Sequence, residues 1–217
     1  MWAYVKDNKI EQIYQRPKSL VIGEVRYPSN MFTKYTDAEK AAIGIYPVED
    51  SGTKGDDRFE YTSGPTYTWS ASDKKVTTSY TITEKSLVDV EIKDESGNNI
   101  LDEKGNKNYN YGLKTIAKNK AKQQANYYIA RFNWLVERSI YDSSKAIPDV
   151  VKTYVAAIKT DCAEIETAID NASNMTDFKA LYENEYNYDS NGLVESIKTI
   201  NRINRWRDDY DVQQYVR

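Results

Sequence analysis

The chain has 217 residues, room for one domain or two small ones, and enough length to bury a core without disulfides or metal. Hydrophobic residues make up 40% and charged residues 29%, with 4 Trp, 4 Phe and 19 Tyr, which excludes a fully disordered polymer. Lys and Arg number 30 against 33 Asp and Glu, a net charge of −3 that carries no basic nucleic-acid footprint.

No apolar run approaches the ~18 residues of a membrane span, and the N-terminal stretch lacks a signal peptide's apolar segment, so neither insertion nor secretion is expected. A single Cys cannot close an internal disulfide. The absence of His removes the commonest general base and the commonest metal ligand. Composition therefore points away from chemistry, towards a soluble structural or binding protein with no cofactor and no metal.

The front half reads as β-rich. Trp2 to Val5 and Ile10 to Tyr14 form the two strands of a hairpin around Asp7-Asn8, residues that tolerate left-handed backbone. Two short apolar runs follow, separated by Gly23 and stopped by Pro28. Thr36-Asp37-Ala38-Glu39 is a capping box, and Gly44 stands where a left-handed helix end belongs, so a two-turn helix and then a strand over 45–48 are predicted. Residues 49–64 read as an exposed polar loop. Residues 67–110 read as a meander of short antiparallel strands with one wet face, and no internal repeat is expected.

After Gly112 the period changes. Leu113, Ala117, Ala121, Ala125, Tyr128, Phe132 and Leu135 recur every three or four residues, and no Gly or Pro interrupts 113–140, so one long helix is predicted. A second helix over 148–170 carries Val151, Val155, Ile158, Cys162, Ile165 and Ile169 on one face, antiparallel to the first. Shorter helices are expected at 175–183 and 193–207. The fold class is thus α+β, with three parts: a small β-rich module at 1–48, a β-meander at 49–110 and a helical domain at 111–217.

Motifs for chemistry are sparse. Cys162 sits in an apolar stripe and reads as packed core rather than a nucleophile. Adjacent acid pairs such as Asp56-Asp57 and Asp102-Glu103 flank Gly, Ser or Asn, where acids solvate turns. The loop from Asp94 to Asn98 lacks the spacing of a calcium loop and reads as a hairpin turn. The Lys stripe of the first long helix (Lys114, Lys118, Lys120, Lys122) reads as a solvated face, with an acidic partner as its alternative. The many Tyr offer wide contact area with a polar tip, suited to interfaces and sugar-binding surfaces. A Tyr-rich core in an AT-rich genome is the plainer explanation of them.

Two stretches carry a resemblance. The first holds Met1-Trp2-Ala3-Tyr4-Val5, Arg16 to Leu20, Tyr27-Pro28-Ser29-Asn30 and Ala42 to Tyr46. The second runs over 133–169, with Ala146-Ile147-Pro148 and Tyr154 to Lys159. Together they resemble tail-fibre and tail-fibre-assembly associated structural proteins of tailed bacteriophages, of the marine phage type. That resemblance implies a non-enzymatic virion tail component, made in the host cytoplasm, whose partners are other tail and fibre proteins. It implies no catalytic residue. A tail-fibre assembly chaperone and a host-surface glycan-binding module are the alternatives.

A homo-oligomer is expected, with Trp134, Tyr127, Val136, Ile140 and Trp206 as candidate interface residues. Tyr61, Tyr67 and Trp69 are the candidate surface-binding residues. No nucleic acid and no membrane partner is expected.

Overall fold

The computed structural model describes residues 1–216, and its architecture is α+β: a strand-rich N-terminal part of the chain and a helical C-terminal part. Contacts divide it into two units, Met1–Glu84 and Lys85–Arg217.

In the first unit, β1 (Trp2–Lys6) and β2 (Lys9–Tyr14) form the expected hairpin, with Asp7 and Asn8 at φ 50° and 61° as a left-handed two-residue turn requires. The hairpin of β3 (Leu20–Ile22) and β4 (Val25–Tyr27) turns at Gly23. Helices α1 (Met31–Lys34) and α2 (Asp37–Ala42) follow. The Thr36 hydroxyl accepts from Glu39 N, and the Glu39 carboxylate accepts from Thr36 N at 2.8 Å, closing the capping box.

Strands β5 (Ile45–Glu49), β6 (Glu60–Ser70) and β7 (Lys75–Glu84) join the first hairpin in one sheet ordered β2-β1-β5-β7-β6. The division expected at residue 48 is absent because β5 pairs with β1 on one side and β7 on the other. The β5–β7 pair is parallel, not the antiparallel step of a meander. The sheet curls: Trp69 Nε1 on edge strand β6 donates to Asn8 Oδ1 in the β1–β2 turn, 3.3 Å away.

Alternation sorts the unit's apolar residues onto two faces. One carries Ala3, Val5, Val48 and Val76, joined by Tyr46, Tyr67 and Trp69. The other packs Tyr14 and Ile45 against Leu20, Met31 and Phe32 from the β3–β4 hairpin and α1. The expected open loop before β6 is tied down instead. Ser51 Oγ donates to Thr78 O, Gly55 N donates to Thr62 Oγ1 at 3.0 Å, and Phe59 is buried.

The second unit opens with an internal repeat that sequence reading missed. Ile92-Lys93-Asp94-Glu95-Ser96-Gly97-Asn98-Asn99 is followed directly by Ile100-Leu101-Asp102-Glu103-Lys104-Gly105-Asn106-Lys107. Both Asp-x-x-Gly-Asn segments turn alike. Asp94 Oδ1 accepts from Ser96 N and Asn98 N, and Asp102 Oδ1 accepts from Lys104 N and Asn106 N, all within 2.8–2.9 Å. Gly97 and Gly105 sit at φ 84° and 82°, where a Cβ is strained.

Between the turns the backbone closes a triangle. Ile100 N donates to Ile92 O, Asn108 N to Ile100 O, and Ile92 N to Asn108 O, each at 2.9 Å. Three arms radiate from it: the two turns and the pair β8 (Val90–Glu91) with β9 (Tyr109–Asn110). Of the meander expected over 67–110, the stretch after β7 thereby keeps only the two-residue strands β8 and β9.

This three-armed module caps the helix that follows. Leu113 N donates to Ser86 O, Lys114 N to Leu87 O, and Gly112 N to Asp89 Oδ1, so the first orphan amides of α3 (Leu113–Ala130) are satisfied within the chain.

The predicted 113–140 helix is two helices, α3 and α4 (Asn133–Tyr141). At the break Arg131 donates to Asp209 Oδ2 at 2.9 Å and to the Tyr154 hydroxyl at 3.3 Å, while Phe132 is buried edge-on against Tyr154. These tertiary ties override continuous helix propensity. Helix α5 (Asp149–Asn171) lies along α3, and α6 (Met175–Ala180) starts at an Asn174 cap.

The helix expected at 193–207 is a correction. Strands β10 (Glu185–Tyr188) and β11 (Val194–Thr199) form a hairpin there, and only a 3₁₀ turn at Arg202–Asn204 follows. The cause is a third copy of the Asp turn: Asp189 Oδ1 accepts from Asn191 N and Leu193 N, and Gly192 sits at φ 78°. A second 3₁₀ segment, Tyr210–Tyr215, closes the described chain.

Candidate interaction surfaces

The three candidate surface-binding residues do not share a surface. Strand β6 pairs with β7 as Ser63↔Thr81 and then Thr66↔Ser79, one residue more on β6 than on β7. That bulge switches every later side chain to the other face. Tyr67 and Trp69 therefore turn into the packed face, where Trp69 lies 4.4 Å from Tyr46, centroid to centroid. Tyr61 stays outside at 63% exposure, beside a run of exposed hydroxyls from Ser63, Thr66, Thr68, Ser79, Thr81 and Thr83.

The Lys stripe is not simply solvated. Lys118 Nζ lies 2.8 Å from Asp170, Lys122 Nζ lies 3.0 Å from Glu166, and Lys114 Nζ donates to Asp170 O. Helical spacing puts Lys114, Lys118 and Lys122 on one edge of α3, and antiparallel packing brings α5's acids alongside. The same packing places Ala117, Ala121 and Ala125 against Ile158, Cys162 and Ile165. Burial pushes the Cys162 thiol up from its ordinary value, and Glu166 adds to that. The thiol is accordingly core, as read from its stripe.

Of the five candidate interface residues, the chain covers two itself. Trp134 Nε1 donates to Tyr215 O at 3.0 Å, with Arg138 over its ring. Trp206 packs against Tyr128 at 5.6 Å. Tyr215 and Trp206 both belong to a C-terminal strap latched onto the helices. Asp161, buried on α5, accepts from Arg207 N at 2.7 Å and pairs with the Arg207 guanidinium. Arg131 pairs with Asp209, and Val212 is fully buried. Hydrogen bonds from Gln213 and Arg131 hold the Asp209 carboxyl below the usual range.

Sequence reading missed this latch because Asp161 and Arg207 are 46 residues apart in no shared periodicity. The one available signal was an acid inside the otherwise apolar face of α5.

The other three stay in water: Tyr127 at 65% exposure, Val136 at 45% and Ile140 at 74%. Val136 also helps wall a half-open apolar pocket of about 140 Å³, together with Ile129, Phe132, Val151 and Val155. Its lining runs across the α3–α4 break, from Ile129 to Val136, which a straight-helix reading does not contain.

Among the described residues, no three His, Cys, Asp or Glu side chains are grouped to hold a metal ion, and no helix is long and apolar enough to cross a membrane. Comparisons with protein-family models, with curated proteins and with solved structures each return no match.

Proposed function

We propose that the chain is a non-enzymatic component of a bacteriophage tail, working by contact with other tail or fibre proteins. One structural observation carries the reading furthest. Helix α4 leaves Val136 and Ile140 in water, and Val136 walls an apolar pocket between α4 and α5. Exposed apolar surface gathered around a pocket is the ordinary signature of a protein–protein contact. The sequence resemblance over 1–48 and 133–169 supplies the tail context, and α4 lies within its second stretch.

Immunogold labelling of purified particles with an antibody raised against the chain tests this. Label at the tail is the expected result. Label on fibre intermediates in lysate but never on particles would instead identify an assembly chaperone.

A host-glycan contact draws support from a different place, the exposed Tyr61 ring beside the hydroxyl-lined face of β6 and β7. Glycan-array binding lost in Tyr61→Ala would favour it, and an array without signal would dismiss it.

A further inference from the structure

Helix α4 carries Asn133, Val136 and Ile140 at spacings of three and four, on one exposed helical side. Asn133 and Val136 stand at the pocket beside α5, whose deep walls Phe132 and Val151 are 3% and 1% exposed and therefore fixed. An apolar cavity of ~150 Å³ admits benzene, so about 140 Å³ has room for a branched four-carbon side chain. Ile140 is such a side chain, 74% exposed and one helical turn beyond Val136.

Knob and hole thus lie on the same helix, about 6 Å apart along its axis. Two copies of α4 packed antiparallel, about a two-fold axis midway between Val136 and Ile140, put each Ile140 at the other copy's pocket. This is the self-complementarity that an isologous contact demands: one patch serves both subunits.

We propose that the chain forms a two-fold homodimer through α4, with Ile140 of each copy seated in the other's pocket beside Val136. The proposal rests on the assembly reading above for its biological sense, and names a second copy of the chain as the first partner. Its test needs no virion, so the two can fail separately: a monomer found in particles removes only the dimer, and a dimer absent from particles removes only the tail assignment.

Sedimentation equilibrium of the full chain should show a monomer–dimer equilibrium, and Ile140→Asp should weaken it at least ten-fold. Because Ile140 is mostly exposed, that variant should keep the parent's circular dichroism and melting temperature. Mixing Val136→Cys chains with Ile140→Cys chains under mild oxidation should give the disulfide-linked heterodimer, since the contact pairs those two positions. A parent chain that stays monomeric at millimolar concentration, a dimer indifferent to Ile140→Asp, or failure of that cross-link would each overturn the proposal.

Discussion

Gly112 shows how one missing Cβ positions a helix. Its φ lies outside the left-handed region, so conformational freedom is not its role. A Cβ there would lie 2.4 Å from Val88 C and 2.5 Å from Val88 O, both rigid backbone. Gly112→Ala must therefore push the three-armed module off the start of α3, and a cost of about 1–3 kcal/mol is expected from denaturant unfolding. An unchanged midpoint would mean the module does not cap the helix.

Cys162 argues the opposite case, a residue whose role periodicity made legible. Its thiol is 8% exposed and its pKa is raised by burial, so native-state labelling should be slow. Cys162→Ser should cost about 1–3 kcal/mol by placing a hydroxyl among Ile158, Ile165 and Ala125. Rapid labelling without denaturant would contradict the packing of α3 on α5.

At the scale of elements, local chemistry explains both what sequence reading recovered and what it lost. The capping box at Thr36, the turn at Asp7-Asn8 and the α5 stripe are signals complete within a few residues, and each reappears in the structure. Thr36→Ala should accordingly cost about 1 kcal/mol. The last helix failed for an instructive reason. Leu193, Ile197, Ile200, Ile203 and Trp206 fit a helical spacing, but Asp189 and Gly192 close a hairpin turn that claims 194–199 first.

The same five-residue turn occurs at Asp94 and Asp102, so Gly105→Ala or Asp102→Ala should loosen an arm. Amide exchange at Ile100 and Asn108 would quicken if the triangle opens with it. The break at Arg131 was illegible because its partner Asp209 lies 78 residues away. So was the separation of Tyr61 from Trp69, which a single extra residue in β6 decides.

For the whole molecule, the titratable groups set a pH profile. Backbone amides hold Asp94, Asp102 and Asp189 below the usual carboxylate range, and Gln213 and Arg131 do so for Asp209. A carboxyl whose folded pKa is depressed binds fewer protons when folded. Its contribution is present above the unfolded value of ~3.9 and is lost as pH falls through the folded one. With no His in the chain, the melting temperature should stay nearly level from pH ~5 to ~8 and drop below ~4. A strong transition near pH 6.5 would contradict this.

As proposed above, the chain is a component of a phage tail that works by contact with its neighbours. Quantitative mass spectrometry of purified particles, set against the lysate that produced them, tests it most directly. The chain should appear in the particles at a fixed ratio to the other tail proteins. Abundance in the lysate with none in the particles would contradict the claim.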